Sequence, residues 1–193
     1  RNPYDPGKSA GGSSGGAAAA LAARMVPVAD GSDMMGSLRN PAAFCNIYGF
    51  RPTWGLVPAD AEGDTYLHTM ATEGPMGRSA ADVALLLEAI AGPDPRVPLR
   101  GAVGPFAPLD RSIAGLRIAW SADAGGLPVE RAVVQALAGV PERLGAHGCF
   151  VVDAFPELRD AGRIFQTLRA VGFERNLGEL YDRRPDDLKD TIR

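Results

Sequence analysis

The sequence predicts an α/β fold, on three observations. Residues 116–120, 129–144 and 149–152 read as strand, helix and strand, a unit that favours parallel pairing through a right-handed crossover. Residues 79–91 carry the clearest helix of the chain. Residues 11–25 run from a glycine-rich loop straight into an apolar helix, which presents backbone N–H groups at a helix start.

Taken in chain order, residues 1–16 are rich in Gly, Ser and Pro, and alone they would read as a flexible linker. The Ala, Leu and Met of residues 17–25 overturn that reading, because their helix propensity is high. Residues 26–29 form a short apolar segment suited to a strand, with Pro27 at its edge or end. Residues 30–40 read as a second small-residue loop, and 41–45 as a short helix or turn with Pro41 at its first position. Residues 51–61 read as loop. The helix at 79–91 has Ser79 as its cap and Asp82 three residues on, the pattern of a capping box. Val83, Leu86, Leu87 and Ile90 form its apolar stripe, and Gly92 and Pro93 stop it. Residues 93–111 hold five prolines and read as an exposed connection. Gly139 and Pro141 predict a kink or an early end in the 129–144 helix. Residues 157–181 read as helical.

Composition limits the function classes. The chain has 193 residues, 46% apolar and 22% charged, enough for one domain with its own core. The net charge of -3 gives no electrostatic surface for nucleic acid or anionic membrane. No apolar run approaches the roughly 20 residues of a membrane helix. Two cysteines, Cys45 and Cys149, are too few for a disulfide framework and predict reduced thiols in the cytoplasm. A homodimer is compatible with this composition. No signal peptide is evident, and both ends, Arg1 and Arg193, read as cuts through a longer protein.

Two segments carry the chemistry: Gly11-Gly12-Ser13-Ser14-Gly15-Gly16, and Gly31-Ser32-Asp33-Met34-Met35-Gly36-Ser37-Leu38-Arg39-Asn40-Pro41. Each sets serine in a glycine-supported loop, where several N–H groups converge on one spot. Acyl transfer needs such a hydroxyl next to donors for an oxyanion. A phosphate loop ending at Gly7-Lys8-Ser9 fails. Its leading glycine is Asn2, Pro3 and Pro6 remove donors, and no strand precedes it. The elbow reading of Gly11-Gly12-Ser13-Ser14-Gly15 also fails, because no strand leads into the serine. His68 and His147, the two histidines, sit in contexts that suit surface residues.

The chain resembles the amidase signature family. The resemblance runs from Asn2-Pro3 through both serine loops to Phe50-Arg51-Pro52-Thr53. It continues through Gly74-Pro75-Met76, the Ser79 helix and Ala91-Gly92-Pro93-Asp94-Pro95 to Leu116-Arg117-Ile118. It implies a mixed, largely buried β-sheet flanked by helices, with the serine loops at one end. The chain is then part of one domain: a serine-loop core over about 1–95, the proline-rich connection over 93–111, and a strand–helix–strand and helical part over 112–193. The resemblance makes Ser37 the nucleophile of an acyl-enzyme and Ser13 the bridging serine after a cis Gly12–Ser13 peptide, with Ser14 in support. The amides of Met34, Met35, Gly36 and Ser37 become the oxyanion hole. Asp33 and Arg39 become structural partners of the loop. Met34-Met35-Gly36 stands where the family often has Thr-Gly-Gly. Met35 then either lines the acyl pocket or packs into the core.

The implied reaction is hydrolysis of a small-molecule amide to acid and amine, with no metal or organic cofactor. The proton would pass from Ser37 through Ser13 to a lysine kept neutral by its surroundings. The only lysines are Lys8 and Lys189, and neither stands at the family's position, well upstream of the first serine loop. The alternatives are the A-type subunit of a tRNA-dependent amidotransferase, which belongs to the same family, and a non-catalytic remnant serving as an interaction module.

Overall fold

A computed structural model describes residues 1–59, 70–95, 97, 105–106 and 108–189. His68 lies outside the described residues. The chain divides into two units, one of Arg1–Leu109 with Val171–Arg193 and one of Asp110–Ala170.

The first unit is built on a three-stranded antiparallel sheet in the order β1-β3-β2, formed by β1 (Val28–Asp33), β2 (Tyr48–Gly49) and β3 (Thr72–Gly77). β1 runs the full length of β3, from Val28 opposite Gly77 to Asp33 opposite Thr72. The strand expected over 26–29 therefore continues through Asp33, into a stretch whose Gly, Ser and Asp read as loop. β3 is the central and most buried strand although it contains Pro75. A proline removes a ladder donor. Here the two-residue β2 pairs only with Gly77 and Met76, and beyond it Pro75 takes part through its carbonyl alone, which accepts the Phe50 N–H at 3.0 Å and needs no donor from proline.

Helix α1 (Gly15–Ala22) packs on β1. Its small side chains allow that approach, and Ala18 and Leu21, one turn apart, are fully buried. They join Ala10, Leu38, Cys45 and Met76 in the core. Helix α2 (Arg39–Phe44) packs against β2 and α1. Pro41 stands third in α2, not first, and is accommodated because the opening turn has no intrahelical acceptors for its N–H groups. Helix α3 (Ala80–Ile90) has the predicted capping box: the Asp82 N–H donates to Ser79 Oγ at 3.1 Å, and the Ser79 N–H donates to Asp82 Oδ2 at 3.0 Å.

The second unit holds β4 (Arg117–Trp120) and β5 (Phe150–Asp153), paired in parallel with Arg117 opposite Phe150. The helix between them is broken, as Gly139 and Pro141 predict, into α4 (Arg131–Leu137) and α5 (Val140–Ala146). Helix α6 (Ala161–Arg183) starts four residues later than the sequence suggests, after an irregular 154–160 segment. No helix among the described residues is long and apolar enough to cross a membrane. Parallel and antiparallel pairing are thus both present, in separate sheets.

Candidate active site

The site forms where β1 ends and α2 begins. Five residues separate Asp33, the last residue of β1, from Arg39, the first of α2, and Ser37 lies among them, half-buried. Asp33 ties this short connection down by accepting three backbone N–H groups along it and at the start of α2. Its side chain is fully buried, with 0% exposure. Oδ1 accepts the Gly36 N–H at 2.8 Å, and Oδ2 accepts the N–H groups of Leu38 at 3.3 Å and Arg39 at 3.4 Å.

Two guanidinium groups neutralise the buried charge. Arg39 donates from Nε to Oδ2 at 2.9 Å and from Nη2 to Oδ1 at 3.0 Å. Arg51 donates from Nη1 to Oδ1 at 3.0 Å, and the same nitrogen also reaches the main-chain carbonyl of Asp33. Burial alone would push the Asp33 carboxyl up. The Arg39 hydrogen bonds, the Gly36 amide and Arg51 outweigh that and hold it well below the usual carboxylate range. Asp33 in turn raises the Arg39 guanidinium by hydrogen bonding.

The first serine loop is held differently. Asn2, 7% exposed, ties its foot down by donating from Nδ2 to the Phe44 carbonyl at 2.7 Å and the Ser9 carbonyl at 3.3 Å. The Gly12–Ser13 peptide is cis. The Ser14 N–H donates to the Ser37 carbonyl at 3.3 Å, which joins the two loops directly. Gly31 makes room for this junction: a Cβ there would stand 2.5 Å from Ser14 Oγ and 3.1 Å from Leu38 Cδ2. Gly36 has φ of 101°, a left-handed conformation that favours glycine, in a turn whose own carbonyl takes the Asn40 N–H at 2.7 Å.

The two serine loops are therefore joined at the Ser14–Ser37 bond. The Gly36 amide, expected among the oxyanion donors, is turned into the protein and donates to Asp33. The amides of Met34, Met35 and Ser37 have no acceptor among the described residues, nor do the hydroxyls of Ser13 and Ser37. Met35 is 50% exposed and so is not part of the core. Lys8 is far from buried, at 76% side-chain exposure, and its ammonium faces Asp5 at 3.9 Å. Sequence reasoning missed Arg51 as an anchor. No group of three or more His, Cys, Asp or Glu among the described residues is placed to hold a metal ion.

Paired serine loops joined around an Asp-anchored turn, on an α/β scaffold, fit a serine-based protein of the amidase type. The family model described as Amidase matches residues 1–192, and the chain belongs to that family. It is 42% identical over 200 residues to the A-type subunit of the glutamyl-tRNA(Gln) amidotransferase of Thermus thermophilus, covering 96% of this chain and 41% of that protein. It is 43% identical over 147 residues to a 1-carboxybiuret hydrolase subunit of Pseudomonas sp., covering 72% of this chain and 31% of that one. A solved bacterial aryl acylamidase of the amidase signature family superposes with a TM-score of 0.87 at 28% identity, over 100% of this chain and 42% of the other. The chain thus spans well under half the length of these relatives.

Proposed function

We propose that the protein carrying this chain hydrolyses a carboxylic amide C–N bond, giving an acid and an amine or ammonia through an acyl-serine on Ser37. The observation that carries the reading is the junction of the two loops, with the Ser14 amide on the Ser37 carbonyl. Ser37 Oγ attacks the amide carbon, and the carbonyl oxygen gains the charge. The unengaged amides of Met34, Met35 and Ser37 are the donors for that oxyanion; such donors act through preorganisation in a site from which water is excluded. Ser13 relays the Ser37 proton towards the base and then to the leaving nitrogen, and Ser14 holds the relay in place. Water then releases the acid. The base is a lysine supplied outside residues 1–193. We place the protein in the cytoplasm, in keeping with Cys45 and Cys149 as free thiols, and assign it a small-molecule amide as substrate.

A fluorophosphonate probe with mass-spectrometric mapping tests this reading. Labelling at Ser37 that disappears in Ser37→Ala, in a protein extended upstream to include a lysine, is the expected result. Absence of labelling in the extended protein overturns it and leaves the interaction module.

The identity to the Thermus thermophilus amidotransferase favours a second reading, in which the protein serves as the A-type subunit of such an enzyme. Co-purification with a second subunit separates that from a free amidase.

A further inference from the structure

We infer that Arg51 is a positioning residue for the oxyanion loop, acting by fixing the peptide plane between Asp33 and Met34. The inference deepens the amidase reading and rests on it. Arg51 is held at its own backbone, because the preceding Phe50 N–H donates to the Pro75 carbonyl of β3 at 3.0 Å. Its side chain is 27% exposed, against 54% for Arg39. The two guanidinium groups do different things. Among the described residues, the Arg39 side chain bonds only the carboxylate of Asp33. Arg51 bonds the carboxylate, the Asp33 main-chain carbonyl and, from Nη2 at 2.8 Å, the Met70 carbonyl just ahead of β3.

The carbonyl contact has a geometric consequence. In a trans peptide the C=O of one residue and the N–H of the next point in opposite directions. A guanidinium that pins the Asp33 carbonyl therefore turns the Met34 N–H away from Arg51. At the far end of the turn, the Asp33 carboxylate takes the Gly36 N–H and fixes the Met35–Gly36 plane. The Met34 amide belongs to the first of these anchored planes and the Met35 amide lies between the two, and Arg51 touches the anchors of both. Lysine replaces it only in part: one ammonium does not present the separate, coplanar donors that reach Asp33 and Met70 together.

The test uses the full protein that carries this chain, with Ser37→Ala as the control, and compares Arg51→Lys with Arg51→Met. An anilide substrate gives kcat and KM. An aryl boronic acid, which forms a tetrahedral adduct on the serine, reports the oxyanion site, and the product carboxylate reports ground-state binding. Arg51→Met is expected to lower kcat about 100-fold, the scale of one lost oxyanion donor. KM and carboxylate affinity should stay within about twofold, and the boronate should weaken in step with kcat, as expected for an interaction made in the transition state. Arg51→Lys, which keeps the charge and a folded protein, should lose about tenfold in kcat with the same pattern, because it retains part of the contact. If Arg51→Met fails to fold, the lysine variant decides. A folded Arg51→Lys with unchanged kcat and boronate affinity overturns the positioning role, as does a loss spread equally over KM and carboxylate binding. Activity persisting in Ser37→Ala would instead bring down the amidase reading itself.

Discussion

The two serine loops meet at the Ser14–Ser37 bond but are stabilised by opposite means. The second loop, around Ser37, is organised by a buried charge: one carboxylate, Asp33, takes three backbone N–H groups and two guanidinium groups. The first loop, around Ser13, is held by neutral groups: the Asn2 amide at its foot and a single bond from Ser14 to Ser37. Ser13 is exposed while Ser37 is half-buried. The difference follows from what each residue does in the proposed mechanism. Oxyanion donors must not reorganise as charge develops, so their turn is locked by interactions that the low-dielectric interior strengthens. A relay serine must rotate its hydroxyl between two proton partners, so only its backbone needs fixing.

The largest test of this contrast is Asp33→Ala. It leaves the Arg39 side chain and three backbone donors without their acceptor and takes the carboxylate from Arg51, and breaking a buried pair in this way costs about 3–5 kcal/mol. Activity should fall by about 100- to 1000-fold in whatever protein remains folded, because the donor geometry is lost. Urea denaturation and kcat measured on the same preparation check both. Native activity at reduced stability would break the contrast. The pH dependence has a definite sign. The folded Asp33 carboxyl is depressed relative to the unfolded one. Its stabilisation is thus complete above the unfolded value of about 4 and is lost as pH falls through the lower folded value. Asp33→Asn should flatten this acid limb, which denaturation at successive pH values will show.

A smaller effect is expected where the loops meet. Gly31→Ala places a Cβ 2.5 Å from Ser14 Oγ, so Ser14 must move. Overpacking of this kind costs about 1–3 kcal/mol. Because Ser14 carries the bond to Ser37, kcat should fall about tenfold, the lower part of the range for a misplaced catalytic group. Asp33 and its partners are left in place, so the acid limb of stability should be unchanged. A Gly31→Ala protein with full activity would show that the junction is not needed to align the hydroxyls.

How much of this was legible follows from where the information lies. The capping box of Ser79 and Asp82 and the break at Gly139 and Pro141 are local, and the structure has both. The serine loops were legible as loops from their glycines, but β1 runs on through Gly31 and Ser32 because β3 offers a full partner edge. β3 itself, Thr-Glu-Gly-Pro-Met-Gly, has the composition of a turn and becomes a strand only by lying between two others. Arg51 was hidden by its separation of 18 positions from Asp33. The available signal was indirect: an aspartate fully buried in a small-residue loop needs more countercharge than one half-exposed arginine supplies. Likewise, nothing in the spacing distinguishes the Gly36 amide from its neighbours. Its commitment to Asp33 follows from the direction of the chain at the end of β1.

The smallest expected effect supplies the reference for the others. Ser79→Ala removes the hydroxyl that accepts the Asp82 N–H at 3.1 Å, at the start of a helix that packs on all three strands of the sheet. Loss of such a cap costs about 1 kcal/mol. No atom of Ser79 or Asp82 bonds either serine loop among the described residues. Thermal melting should register the loss, while kcat and fluorophosphonate labelling at Ser37 stay within about twofold, as expected for a change distant from the site. A fall in kcat in proportion to the lost stability would mean that the Ser37 turn takes its rigidity from the sheet as a whole. The Asp33 anchor would then be one support among many, and the distinction between a charge-locked loop and a neutral one would lose its catalytic meaning.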